Sequence, residues 1–236
     1  MKNLMKIFVA VAAMVAVSCT TDVTEDLGVQ LNNGAGQTEF VLSLEESRTQ
    51  LGEKAGDLYP LYWSNGDKIS VNGVESNEVA INGQSSVATF TVSGTLKTPY
   101  CIAYPAATEG KVVFADQQVY TEGTIANGAS TMYGYSENGG GVAMKHLSGI
   151  LKIGVTGGKT LSYAQISTVD RAPIAGAFAL DFENGELTAT SASKEIIGYS
   201  FGDGVALSSE PTYIHVAVPA GVYEELYVTL YDTKVA

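Results

Sequence analysis

Few residues of this 236-residue chain are of types that make or break bonds, and their spacing does not help them. The two histidines, His146 and His215, stand 69 positions apart, and neither has a cysteine or carboxylate at a metal-ligand interval. His146 follows Lys145 at the start of an apolar stretch, and His215 falls on the face opposite Ile214, Val216 and Val218. Paired acids are a further candidate, because glycoside hydrolysis asks only that two carboxyl groups converge. Glu45-Glu46 and Glu224-Glu225 are adjacent pairs, however, so in an extended chain each pair points to opposite faces. "GASTM" is only superficially like a nucleophile elbow, and "GGGVAMK" lacks the spacing and strand-to-helix setting of a phosphate loop. The expectation is a chain with no catalytic residue, no metal and no cofactor, and not an enzyme.

The cysteines carry a different chemistry. Cys19 ends the run "KIFVAVAAMVAVSC", in which Lys2 and Lys6 supply a positive start and Ile7 to Val17 an apolar segment. That segment is well short of the roughly twenty residues a membrane-spanning helix needs, and suits the core of a signal peptide over residues 1–18. Ala16-Val17-Ser18-Cys19 resembles the lipobox of bacterial lipoproteins, whose cysteine thiol takes a diacylglycerol and becomes the new N-terminus. Cys19 is thus the expected lipidation site, and two or more acyl chains on it would anchor the protein firmly. Cys101, in "TPYCIAYPA", is then left without a partner for a disulfide, and reads as a buried thiol filling a strand.

Loss of residues 1–18 leaves 218 residues and moves the formal net charge from −12 to −14. Such acidity excludes nucleic acid as a partner, since affinity there rests on Lys and Arg neutralising phosphates. Residues 19–37, acidic and rich in Gly and Asn, read as a flexible spacer. Beyond it the pattern is β. Apolar residues alternate at Phe40, Leu42 and Leu44, at Ala88, Phe90 and Val92, at Leu151, Ile153 and Val155, and at Leu226, Val228 and Leu230. Asn-Gly or Gly turns recur about every ten residues, with "ALDFENGELTAT" the clearest hairpin. The expected class is all-β, in two tandem antiparallel β-sandwich domains over 38–141 and 142–236, divided at "SENGGGVAMKH". The second is expected to be incomplete: "EELYVTLYDTKVA" ends on one strong strand with nothing to cover its edge.

Aromatic residues crowd into "DLYPLYWSNGDKISVNG", where Tyr59, Tyr62 and the single tryptophan, Trp63, precede an Asn-Gly turn. Two readings stay open. The tryptophan is a core residue entering a strand, or these side chains, with Tyr133 and Tyr135, form a surface on which sugar rings stack.

Several segments in succession carry a family likeness. "YPLYWSNGDKISVNG", "TPYCIAYPA", "ADQQVY" with Gln117 and Tyr120, "GASTMYGYS" and "MKHLSGILKIGVTG" resemble signatures of the fimbrillin-like lipoproteins, subunits of type V pili, over roughly residues 40–230. The resemblance implies two transthyretin-like sandwiches and export as a lipoprotein to the surface of the outer membrane. It also implies removal of the first strand by an arginine-specific or trypsin-like protease, after which the chain becomes part of a fimbrium. A strand of the next pilus subunit then fills the vacated groove, main-chain bonds giving affinity and alternate side chains filling pockets. Here Arg48, one of two arginines, would be the cleaved residue, with Thr49 the new N-terminus and Phe40, Leu42 and Leu44 the strand removed. The implied partners are other subunits, the outer membrane before maturation, and ligands on host or bacterial surfaces. Family members usually continue where "LYDTKVA" breaks off, which bears on self-polymerisation. The competing expectation is a permanently anchored surface lipoprotein that binds glycans or a host protein.

Overall fold

A computed structural model describes residues 5–9, 32–33, 36–44, 62–83, 85–139 and 141–232. Among these residues there is no helix; the chain is all-β. The first ten strands are β1 (Met5–Val9), β2 (Asn32–Asn33), β3 (Gln37–Leu44), β4 (Ser70–Val71), β5 (Val74–Glu75), β6 (Val87–Ser93), β7 (Tyr100–Tyr104), β8 (Lys111–Phe114), β9 (Gln117–Val119) and β10 (Met132–Ser136). After the glycine cluster come β11 (Val142–His146), β12 (Ser148–Val155), β13 (Thr160–Thr168), β14 (Ala175–Asp181), β15 (Glu186–Lys194), β16 (Ile196–Ala206), β17 (Thr212–Pro219) and β18 (Leu226–Tyr231).

Turn chemistry fixes the hairpins. Asn72 and Gly73 both take positive φ, 50° and 79°, which is what a two-residue turn between twisted strands requires. The Asn72 side chain also donates to the carbonyls of Lys97 and Pro99 and accepts from the Cys101 amide, tying the turn to β7. At the β14–β15 hairpin, Asp181 Oδ1 accepts from the amides of Glu183 and Asn184, and Gly185 closes the turn at φ 76°.

The first sheet runs β2-β3-β11-β10-β7-β4-β5, with β6 on the other side of β3. It encloses a core that includes Phe40, Leu42, Trp63, Ile69, Phe90, Ile102, Tyr104, Met132 and Met144. A second sheet, β1-β18-β13-β16-β9, faces the pair β12-β17 across a core that includes Ile166, Ile197, Tyr199, Ile214, Val216 and Val228. A third cluster joins the halves: the sheet β15-β14-β8 sets Phe178 and Leu180 against Val112, Phe114 and Tyr133.

The division expected between residues 141 and 142 needs correction. The glycine cluster is the loop of the β10–β11 hairpin (Met132 opposite His146), and Val142 and Met144 belong to the first core. In the other direction, β8 pairs with β14, and β9 pairs in parallel with β16. The halves are therefore interlaced. Ser148–Val155 is the first strand of the later half that leaves the first sheet altogether.

The strand expected to end the chain uncovered is β18, whose inner neighbour is β13. Along its other edge the structure lays Met5–Val9, antiparallel, from Met5 opposite Leu230 to Val9 opposite Leu226.

Candidate functional site

The residues that organise the site are Thr38, Phe40, Leu42 and Leu44, the inward-pointing half of β3. Their alternation with the half-buried Glu39, Val41 and Ser43 is the period-two pattern of a strand with one face on a core. On one side β3 pairs antiparallel with β6 over seven positions, from Gln37 opposite Ser93 to Ser43 opposite Val87. On the other side Leu42, Ser43 and Leu44 lie parallel to Val142, Ala143 and Met144 of β11. Because Leu42 and Ser43 are paired on both sides, β3 is an interior strand there.

Three features hold it in place. The Phe40 ring meets Tyr100 edge-on at 5.2 Å. The Thr38 hydroxyl donates to the Gly94 carbonyl at 2.9 Å, and the Leu44 amide donates to Ser86 at 2.9 Å. Burial of Phe40, Leu42 and Leu44 stabilises the first core by roughly 5–9 kcal/mol, taking about 1.5–3 for each such side chain. Taking β3 out would leave β6 and β11 about 10 Å apart, two strand spacings, with an apolar floor between them.

The floor rests on an aromatic cluster. Trp63 is 1 % exposed and meets Phe90 at 4.9 Å and Tyr104 at 5.3 Å, both edge-on. Asp67, also buried, accepts the Tyr104 hydroxyl at 2.8 Å through Oδ1 and the Ser64 amide at 2.7 Å through Oδ2. Burial, reinforced by this carboxylate, keeps the Tyr104 phenol protonated far above its ordinary range. The "WSNGD" turn thus brackets the tryptophan between buried ends, Trp63 and Asp67, with Asn65 and Gly66 exposed at its tip.

This overturns the sugar-stacking surface at its central residue. Trp63 faces inward because it bridges to Ser85 in an extended segment whose inner side is the core. Tyr133 is buried under the β14–β15 hairpin, its ring 6.3 Å from Phe182, and Tyr135 is half-buried in the same cluster. Tyr62 is half-buried. Cys19, Arg48, Thr49 and Tyr59 lie outside the described residues.

The histidines are not brought together. His146 Nδ1 lies 3.2 Å from the Ser130 hydroxyl at the end of β11. His215 does lie on the face opposite Ile214, Val216 and Val218, but that face is covered as well, since every residue from Ile214 to Pro219 is buried. Its Nδ1 has no hydrogen-bond partner among the described residues. Burial, followed by the Lys152 charge opposite it, pushes the imidazole pKa below its ordinary value. Among the described residues no group of three His, Cys, Asp or Glu is placed to hold a metal. Glu224 and Glu225 are both exposed in the loop before β18. Cys101 is half-buried, and desolvation, with Glu109 adding to it, raises its thiol pKa and so suppresses the reactive thiolate.

Among the described residues, several buried polar side chains escape the sequence pattern, and two of them brace the cores. Asp67 is one of this pair. Gln118 is its counterpart: its Nε2 donates to the Ala217 carbonyl at 2.7 Å and its Oε1 accepts the Ala217 amide at 3.0 Å. It reproduces with a side chain the pairing that a neighbouring strand would give β17. The only local signal for it is parity, since Gln118 is the inward position of β9. A shallow pocket of about 50 Å³ at the end of β18, lined by Leu161, Leu207, Leu230 and Tyr231, has room for a water or two rather than an organic ligand.

The chain matches no protein-family model, no curated protein and no solved structure.

Proposed function

We propose that this chain is the precursor of a structural subunit of a surface fibre, assembled by β-strand exchange and catalysing nothing. The observation that carries the reading is β3. It is an interior strand with Phe40, Leu42 and Leu44 seated in the first core, and Arg48 follows four residues after its end. Cleavage after Arg48 would detach Cys19, its lipid and β3 in one piece, and open a slot one strand wide. An incoming strand with apolar residues at alternate positions would find unpaired main-chain groups on both walls. Under this reading the two cores are tandem transthyretin-like sandwiches, the precursor is a surface lipoprotein of the outer membrane, and the assembled fibre supports adhesion. The burial of Trp63 and Tyr133 supports it over the anchored glycan-binding module, whose aromatic surface loses two of its members.

The test is the N-terminus of protein recovered from the cell surface, by intact mass and terminal sequencing. A start at Thr49, lost in Arg48→Ala, is expected. Lipidated Cys19 surviving in all the material would make the anchor permanent and overturn strand exchange at this slot.

A further inference from the structure

We infer that the outer face of the second sheet is a binding site for a neutral oligosaccharide, centred on Tyr163 and on the two amides that flank Gly198. The inference uses no step of strand exchange and holds for an anchored or a released chain. It concerns a different surface from the aromatic segment 59–63.

The face is built by parity. Ala164 and Ile166 of β13, Ile197 and Tyr199 of β16, and Val228 and Leu230 of β18 point into the second core. Tyr163, Gln165, Gly198 and Tyr231 therefore fall on the opposite face. The pairings set them side by side: Tyr231 lies opposite Tyr163, and Gln165 opposite Gly198, whose other neighbour is Gln117 of β9. None of the outward residues in these pairings is charged, on a chain whose formal net charge is −12.

Gly198 shapes the middle. A Cβ there would collide with the Tyr163 hydroxyl and the Gln117 amide. With no side chain in the way, the Tyr163 ring lies down across the sheet toward β16. The Tyr231 ring sits 6.1 Å from it, tilted by 47°. The Tyr231 hydroxyl donates to Gln165 Oε1 at 3.1 Å, which fixes that amide and leaves its Nε2 as a donor. Gln117, exposed on β9, adds a second amide with a donor and an acceptor.

Sugars fit this set of groups. A pyranose has an apolar C–H side that stacks on a tyrosine ring, and hydroxyls that both donate and accept, as an amide does. Two rings on neighbouring strands give two stacking positions, which suits an oligosaccharide better than a single sugar. An acidic sugar or a phosphate would find no cation among these residues and a repelling chain around them. A protein sheet laid face to face would need an apolar row to pack on, and the centre of this face is two amides and a glycine.

The test probes the full chain with a glycan array carrying neutral oligosaccharides of hexoses and N-acetylhexosamines beside their sialylated and sulfated forms. Neutral members are expected to bind, and the acidic forms to bind less. Calorimetric titration with the best-bound neutral oligosaccharide then locates the site. Gln117→Ala and Gln165→Ala each delete one amide and should weaken binding about tenfold, the worth of one or two hydrogen bonds, with an unchanged thermal melt. Tyr163→Ala should lose detectable binding, whereas Tyr163→Phe keeps the ring and should retain most of it. Thr188→Ala, exposed on β15, should bind as the parent does. If Tyr163→Ala does not fold, the two glutamine variants decide. A folded full chain that binds no neutral glycan, prefers the acidic forms, or is indifferent to both glutamines would overturn the site. So would a dimer in sedimentation that Gln117→Ala dissociates, since the face would then be a contact between protein chains.

Discussion

The side chain of Gln118 does for Ala217 what a neighbouring strand would do, accepting from the amide and donating to the carbonyl across 99 residues of sequence. Gln118→Leu keeps the volume and strands both main-chain groups of Ala217, so a loss of about 2–4 kcal/mol is expected. It is read as a lower urea midpoint; an unchanged midpoint would mean that water replaces both bonds. His215 offers the opposite case, a buried ring whose Nδ1 finds no partner among the described residues. Its pKa is lowered in the fold, so the unfolded chain takes up the proton first as pH falls below about 6.5. Stability from this group is complete above that pH and is lost on descent, by at most about 1.4 kcal/mol per pH unit for one proton. His215→Leu should flatten the melting temperature between pH 7 and pH 5 while leaving the steeper acid limb below about pH 4 in place. That limb belongs to carboxylates held low: Asp116 by its hydrogen bond to Lys194, Asp232 by its hydrogen bond to Lys159, and Asp181 by Asn184. None of this was legible beforehand. A glutamine at the inward parity of a strand, or a histidine on a second face that is also covered, looks like any other polar residue until the opposing elements are known.

Strands were far more legible than their partners. The alternation in "FVLSL" and "ATFTV" named the buried positions of β3 and β6 correctly, and "ENG" marked the tip of the β14–β15 hairpin. Alternation specifies which face is buried and is silent about which strand lies alongside, so nothing in "FVLSL" announced that β11 would flank it in parallel. The contrast between faces is testable on β3. Leu42→Asp puts a charge where exposure is 0 % and should unfold the first core, whereas Val41→Asp, half-exposed on the other face, should shift the melt only slightly. Equal effects would mean that β3 is not seated as described. At the hairpin, Gly185 stands at φ 76° against the Tyr133 hydroxyl, where a Cβ would collide. Gly185→Ala should therefore cost at least about 1–2 kcal/mol from backbone conformation alone, seen in the thermal melt.

The molecule as a whole does not divide where its glycines suggest. Glycine marks positions of left-handed backbone and close approach, and Gly139 at φ 83° serves a hairpin loop, so composition misplaced the boundary for a physical reason. The chain cut between residues 141 and 142 should yield two pieces that are each unfolded alone, with poor amide dispersion in NMR spectra. The first piece would lack β11 and the second would lack β8 and β9. A well-dispersed spectrum from residues 142–236 by themselves would contradict this. The same interlacing reaches into how such a chain can change over generations. A recombination breakpoint anywhere between Gln118 and Val142 would part Gln118 from Ala217 and Val142 from Leu42. Related genes could not trade these halves as cassettes, and the stretch from Phe40 to Tyr231 must be inherited as one piece.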